Sequence, residues 1–259
     1  MRIDDLDPPR TVPGAADDIL RMLESCAMQW DGPVLFQSAR NAAYRDAFDR
    51  LLQQGLVYPC SCSRREIADS AVPGLGGYVY PGTCRSGLRE GRQPRTWRIR
   101  TAGASVELND DVQGRIVQDL ERESGDFVLY RADGVYAYQL AAAVDDAGQR
   151  ITHVVRGADL LVSTPRQIYL QRLLGLPTPL YAHLPVAVNA QGEKLSKQTH
   201  AAPLDPANPV SSLIAALEFL GHRPPPDIAA SESAELWRWA IANWSLQRVP
   251  RAPLLRAPD

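Results

Sequence analysis

Apolar residues recur at helical spacing in two stretches near the start of the chain. The first stretch predicts a helix that ends at Asp31-Gly32-Pro33. Its apolar face consists of Ile19, Leu23, Ala27 and Trp30. The second stretch predicts a helix that is capped by Ser38 and stopped by Gly55. Its inward face consists of Tyr44, Phe48, Leu51 and Leu52.

Short apolar runs between these helices and later in the chain predict strands. They lie at 34–36, 56–58 and 151–155. Strands that alternate with helices indicate an α/β domain with a parallel sheet. The third run leads directly into Arg156, and charged side chains at the end of such a strand are where an α/β sheet holds its ligand. His183 lies between apolar residues, which indicates a hydrogen-bonded core histidine.

The remaining pattern predicts further helices. A hairpin turn at Asp133-Gly134 precedes a buried helix that ends at Asp145-Asp146. Another helix begins at Ser163 and ends before Gly175. Beyond a proline-rich linker, the last amphipathic helix carries Trp237, Trp239 and Trp244. The tail from Arg251 is predicted to be frayed.

Composition places the chain among ordinary soluble globular proteins. It has 259 residues, with 45% hydrophobic and 22% charged, and a net charge of -2. No apolar run approaches the length of a membrane span, and the first five residues are too acidic for a signal peptide. We therefore expect a cytoplasmic protein without a membrane partner, and a monomer by default.

Three cysteines cluster in the sequence and favour a metal site over cross-links. Cys60, Cys62 and Cys84 offer three soft thiolates, and structural zinc takes four ligands of this kind in a tetrahedron. No cysteine or histidine stands in an obvious place for the fourth ligand. Tyr78 and Tyr80 are the nearest candidates, because a metal can lower the pKa of a phenol. Three buried, inert thiols are the alternative.

Two basic segments point to anionic ligands. The lysine loop at 192–197 follows an apolar run, and its two ammonium groups suit a phosphate. An arginine patch holds six arginines in sixteen residues: Arg85, Arg89, Arg92, Arg95, Arg98 and Arg100. Arginine pairs with phosphates and stacks on bases, so this patch is a candidate RNA contact. For both segments a solvated surface is the alternative.

Several motifs together resemble a known family. Three segments resemble the glutamyl branch of class I aminoacyl-tRNA synthetases: RIDDLD at 2–7, VRGADLL at 155–161 and KLSK at 194–197. The last of these is similar to the KMSKS-like signature loop of that branch. Features that resemble the shorter glutamyl-Q tRNA(Asp) synthetases are DPPR at 7–10, Cys60-x-Cys62 and Tyr80-x-x-x-Cys84. That family is a paralogue without the anticodon-binding domain.

The resemblance implies an α/β fold built on a Rossmann-like parallel sheet with its first strand missing, a zinc-containing insertion and a short helical C-terminal region. The first part of the catalytic domain would occupy 1–58 and its second part, with the lysine loop, 135–202. The insertion would occupy 59–134, and the C-terminal region 203–259.

The resemblance also implies an activity and a set of site residues. The activity is ATP-dependent activation of glutamate and its transfer to the queuosine base in the anticodon of tRNA(Asp), with Mg²⁺ accompanying the ATP. Lys197 would steady the ATP phosphates, and Lys194 would assist it in catalysis. Glutamate would be bound by Asp4, Tyr138 and Arg156. Zinc would be held by Cys60, Cys62, Tyr80 and Cys84.

One family feature has no counterpart in the sequence. The family begins with a strand and a HIGH-like signature whose histidines contact ATP, and no histidine here has a comparable context. Since loss of a central strand exposes apolar neighbours, we expect a truncated form of a longer enzyme or an inactive remnant. Two alternatives stay open: a fragment of an ordinary glutamyl-tRNA synthetase, and a non-catalytic, zinc-stabilised RNA-binding protein.

Overall fold

The computed structural model describes residues 1–7, 11–196 and 204–257. Within these ranges the strands are β1 (Arg2–Ile3), β2 (Leu35–Phe36), β3 (Val57–Cys60), β4 (Val72–Gly74), β5 (Gly77–Val79), β6 (Thr96–Ile99), β7 (Ser105–Asp110), β8 (Gly114–Asp119), β9 (Val128–Tyr130), β10 (His153–Gly157), β11 (Leu180–Leu184), β12 (Val186–Val188) and β13 (Leu254–Arg256). The helices are α1 (Ala15–Ser25), α2 (Asn41–Gln53), α3 (Arg64–Ala68), α4 (Leu120–Glu123), α5 (Tyr138–Gly148), α6 (Thr164–Leu174), α7 (Pro209–Phe219), α8 (Pro226–Ala229) and α9 (Ser233–Asn243).

Parallel pairing joins strands from distant parts of the chain. β1 pairs with β2, β11 pairs with both β10 and β7, and β12 pairs with β13, all in parallel. The β7–β8 hairpin adds an antiparallel edge to the sheet of order β10-β11-β7-β8. Between β10 and β11 the chain crosses over through α6, the connection that parallel neighbours require. The predicted α/β fold with parallel pairing is confirmed.

A separate antiparallel sheet carries part of the cysteine-bearing segment. β6 lies between β3 and β9 and is antiparallel to both. The strand predicted at 56–58 as part of the parallel sheet belongs here instead, because residues 57–60 pair with residues 96–99. The predicted domain boundary between residues 58 and 59 therefore falls inside a strand.

The largest apolar cluster lies where α2, α5 and α6 meet this antiparallel sheet. Its fully buried members include Leu51, Ile99, Leu129, Leu140 and Leu170. Tyr44, Phe48 and Leu51 are buried as predicted, whereas Leu52 is 36% exposed and its prediction is wrong. Adjacent helical positions point about 100° apart, so Leu52 cannot share the face of Leu51.

Ser38 does not cap α2, contrary to its prediction. It lies in a 3-10 turn at Gln37–Arg40, and α2 begins after that turn. The backbone N–H and the hydroxyl of Ser38 both donate to the Asp5 carboxylate, at 2.9 and 2.6 Å. This pair of bonds fixes the loop after β1 against the loop after β2.

α1 is shorter than its apolar pattern predicts. It ends at Ser25, because Ala27 adopts a left-handed conformation with φ 54°. The next N–H, that of Met28, turns back to the carbonyl of Leu23 at 2.9 Å and closes the helix end. Trp30 therefore lies beyond the helix whose face it was predicted to share.

α5 continues through Asp145 and Asp146, where the sequence predicted its end. Asp146 forms an ion pair with Arg2 at 2.6 Å. Asp145 is fully buried and accepts from three side chains, those of Gln37 at 2.8 Å, Arg40 at 2.6 Å and Tyr44 at 2.8 Å. Because both acids are satisfied by distant partners, they do not break the helix, and they tie α5 to α2 and β1.

The C-terminal helices pack against α1. Cys26 is buried among them, and its carbonyl accepts from the indole N–H of Trp237 at 2.7 Å. The tail from Arg251 is not frayed, because β13 pairs with β12 in parallel register. Across residues 1–7, 11–196 and 204–257, every helix is too short or too polar to cross a bilayer.

Candidate functional site

Arg156 lies near the carboxyl end of β10, where an α/β sheet holds its ligand. Within the described part of the chain, no carboxylate pairs with it. Its guanidinium donates four hydrogen bonds, to His183 Nε2 at 3.1 Å, Tyr138 Oη at 3.3 Å, Thr164 Oγ1 at 2.7 Å and Gln167 Oε1 at 2.8 Å. Since none of these partners carries negative charge, the charge of Arg156 is left for an anionic ligand.

His183 supports Arg156 from inside the fold. It is fully buried, which confirms the predicted core histidine, and its Nδ1 lies 2.6 Å from Oδ2 of Asp110. Burial acts to raise the pKa of Asp110. Hydrogen bonds from the His183 ring and from backbone N–H groups outweigh burial and hold this pKa below its ordinary value. Asp110 is therefore an ionised, fixed acceptor.

A cavity of about 620 Å³ brings two predicted glutamate-binding residues together. Asp4 and Tyr138 both line it, beside the carboxylates of Asp5 and Asp7. Asp4 accepts from Arg2 Nε at 2.8 Å. Tyr138 also contacts Arg156, so Tyr138 links the cavity that Asp4 lines to the guanidinium of Arg156.

The lysine loop reaches the same region through a turn after β12. Asn189 Oδ1 accepts two backbone N–H groups of this turn, at 3.0 and 2.9 Å, and so closes it. Lys194 forms an ion pair with Asp159, which follows Arg156 closely in the chain. Predicted residues that lie outside the described ranges are Lys197, Pro8, Pro9 and Arg10.

A second cavity, of about 880 Å³, adjoins the first. The two share Asp7, Arg131 and Tyr138. The arginines that line the second cavity are Arg64, Arg65, Arg95, Arg98 and Arg131. Arg131 is paired with Asp7 at 3.1 Å and with Asp133 at 2.6 Å. An acidic cavity of amino-acid size thus opens beside a larger basic one.

The three clustered cysteines meet in space together with Tyr80. Their sulfurs all lie within 4.8 Å of one another, and those of Cys62 and Cys84 are 3.7 Å apart. Tyr80 Oη lies 3.4 Å from the sulfur of Cys60 and 3.6 Å from that of Cys62. In a tetrahedral zinc site, ligand atoms stand about 3.5 to 3.8 Å apart, given bond lengths of about 2.0 Å to oxygen and 2.3 Å to sulfur. The donor set and these spacings fit a closed tetrahedral metal site.

The local electrostatics differ among these donors. Burial is the main cause that raises the pKa of Cys62, to about 11. Burial acts the same way on Cys84, but hydrogen bonds from Tyr80, Ser61 and Cys62 outweigh it and lower the pKa of Cys84 to about 7. Cys84 thus becomes a thiolate ligand more easily than Cys62.

Most of the arginine patch serves the fold. The members engaged in ion pairs or in bonds to carbonyl groups are Arg85, Arg92, Arg98 and Arg100. Arg89 and Arg95 are exposed, and Arg95 lines the basic cavity. Fewer arginines of the patch are therefore available to a ligand than the six that the sequence contains.

Sequence reasoning missed the residues that orient Arg156. Thr164 was assigned only to a helix start, Gln167 to a helix interior, and Asp110 to no element. A polar residue among apolar neighbours is the signal for such a buried position, and among these residues it predicts only His183. The sequence separation of these partners gave no indication that they meet.

Similar solved structures support the fold. A glutamate-tRNA synthetase from Elizabethkingia anophelis matches with a TM-score of 0.77 at 24% identity, over 98% of this chain. A glutamate tRNA ligase from Elizabethkingia meningosepticum matches with a TM-score of 0.76 at 23% identity. The chain spans 60% of the length of each. At this identity the likeness concerns the fold alone.

Sequence relatives identify the family. Residues 1–205 match the model of the catalytic domain of class I tRNA synthetases (E and Q). The glutamyl-Q tRNA(Asp) synthetase of Aromatoleum aromaticum is 55% identical over 258 residues, which cover 100% of this chain and 82% of the relative. That of Dechloromonas aromatica is 55% identical over 260 residues, with 100% and 86% covered. The chain therefore belongs to the class I tRNA synthetases (E and Q), and within them to the glutamyl-Q tRNA(Asp) synthetases.

Proposed function

We propose that this chain activates glutamate with ATP and transfers it to the queuosine base in the anticodon of tRNA(Asp). The observation that carries the proposal is the guanidinium of Arg156, which is held by four acceptors without a carboxylate at the end of β10. A planar guanidinium of this kind suits bidentate pairing with the side-chain carboxylate of glutamate.

The acidic cavity suits the other end of the amino acid. Asp4 and its acidic neighbours line the cavity and match the ammonium group of glutamate. Tyr138 contacts Arg156 and lines the same cavity, so it lies between the two charged ends of the bound amino acid. The α-carboxylate is then left to react.

The first chemical step is displacement at phosphorus. An α-carboxylate oxygen of glutamate attacks the α-phosphate of ATP, a new P–O bond forms, and pyrophosphate leaves with the electrons of the broken P–O bond. Since such a step needs mainly positioning and charge stabilisation, we assign the ammonium groups of Lys194 and Lys197 to the phosphates. Mg²⁺ accompanies the ATP as part of the substrate.

The second step uses the basic cavity. A hydroxyl of the queuosine base attacks the activated carbonyl carbon, an ester bond forms, and AMP leaves. Arg64, Arg65 and Arg95 line the basic cavity next to the glutamate site, and arginines position nucleic acids through their phosphates. We therefore place the anticodon loop at this cavity.

Zinc is proposed to hold the insertion together. Cys60, Cys62, Tyr80 and Cys84 would supply all four ligands of a tetrahedral zinc ion, which would leave no open position for a substrate. When bound, zinc supplies cross-linking rather than chemistry. It would fix the segment that contributes Arg64 and Arg65 to the basic cavity.

The test is glutamate-dependent ATP–pyrophosphate exchange, followed by transfer of labelled glutamate to tRNA(Asp). The assays are run on this chain and on a version that carries a HIGH-like segment at its start, because the family resemblance implies that such a segment contributes to ATP binding. Exchange with glutamate but not glutamine, and transfer that periodate treatment of the tRNA abolishes, are expected.

A matched pair of variants sharpens the test. Arg156→Lys keeps the charge but loses the planar fork, and should raise the KM for glutamate about tenfold or more. Arg172→Lys alters an exposed arginine on α6 and should change nothing. Zinc and tRNA binding without exchange in either length of protein would instead favour the non-catalytic RNA-binding alternative.

A further inference from the structure

We infer that Asp110 and His183 are positioning residues for Arg156, and that they act by fixing which ring nitrogen of His183 carries the proton. The inference rests on the proposed function, in which Arg156 binds the glutamate side chain. Neither residue touches the amino acid in this arrangement. They act through the orientation of the guanidinium.

Donor and acceptor roles determine the protonation of His183. The Nε–H of Arg156 can only donate, and it faces Nε2 of His183 at 3.1 Å. Nε2 must therefore accept with its lone pair and carry no proton. A neutral imidazole then holds its proton on Nδ1, which lies 2.6 Å from the carboxylate of Asp110. The contacts at both ring nitrogens therefore require the Nδ1–H tautomer.

The Asp110 carboxylate is held so that only one oxygen is left for the ring. Its Oδ1 accepts three backbone N–H groups, those of Val112 at 3.0 Å, Gln113 at 2.8 Å and His183 at 3.1 Å. Its Oδ2 accepts from Nδ1 of His183. Asp110 ends β7 and pairs with Tyr181 of β11, so the orientation of the carboxylate is set by the sheet itself.

Packing keeps the imidazole in this orientation. The ring of Tyr181 stacks on that of His183, with centroids 6.0 Å apart and planes at 14°. The second partner of Nε2 is the hydroxyl of Thr164 at 2.9 Å, which donates to Nε2 in the Nδ1–H tautomer and accepts from Arg156. Because His183 is fully buried, water cannot replace these contacts. The chain from Asp110 through His183 to Arg156 is continuous.

A single isosteric change should reverse the tautomer. In Asp110→Asn the amide oxygen can keep the three backbone bonds, which leaves the NH₂ group facing Nδ1. Nδ1 must then accept, so the proton moves to Nε2 and points at the Nε–H of Arg156. Two donors cannot bond, and the guanidinium is displaced. The same exchange of carboxylate for amide disables a Ser-His-Asp triad by imposing the wrong tautomer.

The experiment combines ring-nitrogen NMR with titration of L-glutamate. In ¹⁵N-histidine-labelled protein, the wild type should show a protonated Nδ1 and an unprotonated Nε2 for His183. Asp110→Asn should show the reverse. Calorimetry should give a Kd for L-glutamate about tenfold higher or more in Asp110→Asn, the loss that one misplaced bond to a charged group produces.

A matched control separates this role from general destabilisation. Asp126→Asn removes another fully buried, multiply bonded carboxylate, one that contacts neither Arg156 nor His183. It should lower the unfolding temperature yet leave the glutamate Kd and the His183 tautomer unchanged.

Each outcome decides the inference. An Nε2–H tautomer in the wild type overturns it, and this spectrum needs no variant to fold. Equal glutamate affinity in wild type and Asp110→Asn also overturns it, as does weaker binding without a change of tautomer, while the proposed function stands in all three cases. Absence of glutamate binding by the wild type overturns the proposed function first, and with it the role given to this chain of residues.

Discussion

The guanidinium of Arg98 lies over the ring of Tyr80, with its Cζ 4.0 Å from the ring centroid. One arginine of the patch thus packs on the tyrosine of the cysteine cluster and also lines the basic cavity. A cation over the ring face favours negative charge on the phenol oxygen. Burial, together with hydrogen bonds to the three cysteines, nevertheless raises the pKa of Tyr80, so its proton leaves only when a metal takes its place.

Tyr80→Phe should therefore weaken zinc binding without disturbing the stack on Arg98. The variant loses the oxygen that stands 3.4 Å from Cys60 and 3.6 Å from Cys62. We expect zinc affinity, measured by competition with a chromogenic chelator, to fall by at least about 100-fold, since even groups that only orient a ligand contribute about 10- to 100-fold. Tyr78→Phe, at an exposed tyrosine nearby, is the control. Unchanged affinity in Tyr80→Phe would exclude Tyr80 as a ligand.

Lys194→Gln should slow activation of glutamate rather than weaken its binding. An ammonium group assigned to the phosphates acts on the transition state, so kcat for pyrophosphate exchange should fall about 10²- to 10³-fold with little change in KM for glutamate. Asp159→Asn is the companion variant. The Lys194–Asp159 pair is 53% and 35% exposed, so its loss should cost less than about 1 kcal/mol. A rise in KM alone for Lys194→Gln would contradict the assignment.

Asp126 should contribute a pH-dependent part of the stability. Burial acts to raise its pKa, but bonds from Arg85, Tyr58 and Thr101 outweigh burial and lower it. The folded pKa thus lies below the unfolded value of about 3.9, so the stabilisation is complete above about pH 5 and is lost as pH falls through the folded pKa. Urea titrations measure the free energy of unfolding of the wild type and of Asp126→Asn. The difference between the two should be constant near neutral pH and should become smaller in acid.

The control for acid stability is Asp46→Asn, at an exposed position on α2. Its free energy of unfolding should differ little from that of the wild type near neutrality, because an exposed side chain contributes little to stability. If the difference in unfolding free energy between the wild type and Asp126→Asn stayed unchanged down to about pH 2, the carboxylate would not be stabilised by its partners.

Removal of residues 251–259 should loosen the lysine loop. β13 pairs with β12, and the flanking bonds run from Val186 N–H to the Pro253 carbonyl at 3.0 Å and from Ala257 N–H to the Val188 carbonyl at 2.9 Å. Loss of these two bonds alone should cost about 2 kcal/mol. Hydrogen exchange at 186–195 should quicken in this deletion but not in one that lacks only residues 258–259. Equal exchange in both would show that β13 does not support the loop.

Local signals in the sequence predicted local features. Gly55 ends α2 with φ 70°, as the sequence predicts. The α/β alternation and the cysteine spacing likewise gave the fold class and the cluster around Cys60. Gly55 acts through its own backbone conformation, so its residue type is sufficient to predict the helix end, whereas the fold class and the cysteine cluster were predicted from patterns over longer stretches.

Features that depend on distant partners were missed or wrong. Asp145 stays inside α5 only because its partners come from the segment around α2, and Ala27 bends the chain without the glycine that usually marks such a site. At the candidate site, the family resemblance supplied Arg156 and Tyr138, and the structure brings them into contact. Asp110, which lies far from both in the chain, had no sequence signal for its contact with His183.

The pairing of β12 with β13 also determines when, during synthesis, the lysine loop can reach its final structure. Residues 186–188, which lead into the lysine loop, leave the ribosome well before their partner at 254–256. A nascent chain that has not reached this last strand already contains Arg156, Tyr138 and Asp4. Under the proposed function, such a chain would have its glutamate-binding residues before its lysine loop is braced, so binding of the amino acid would precede its activation.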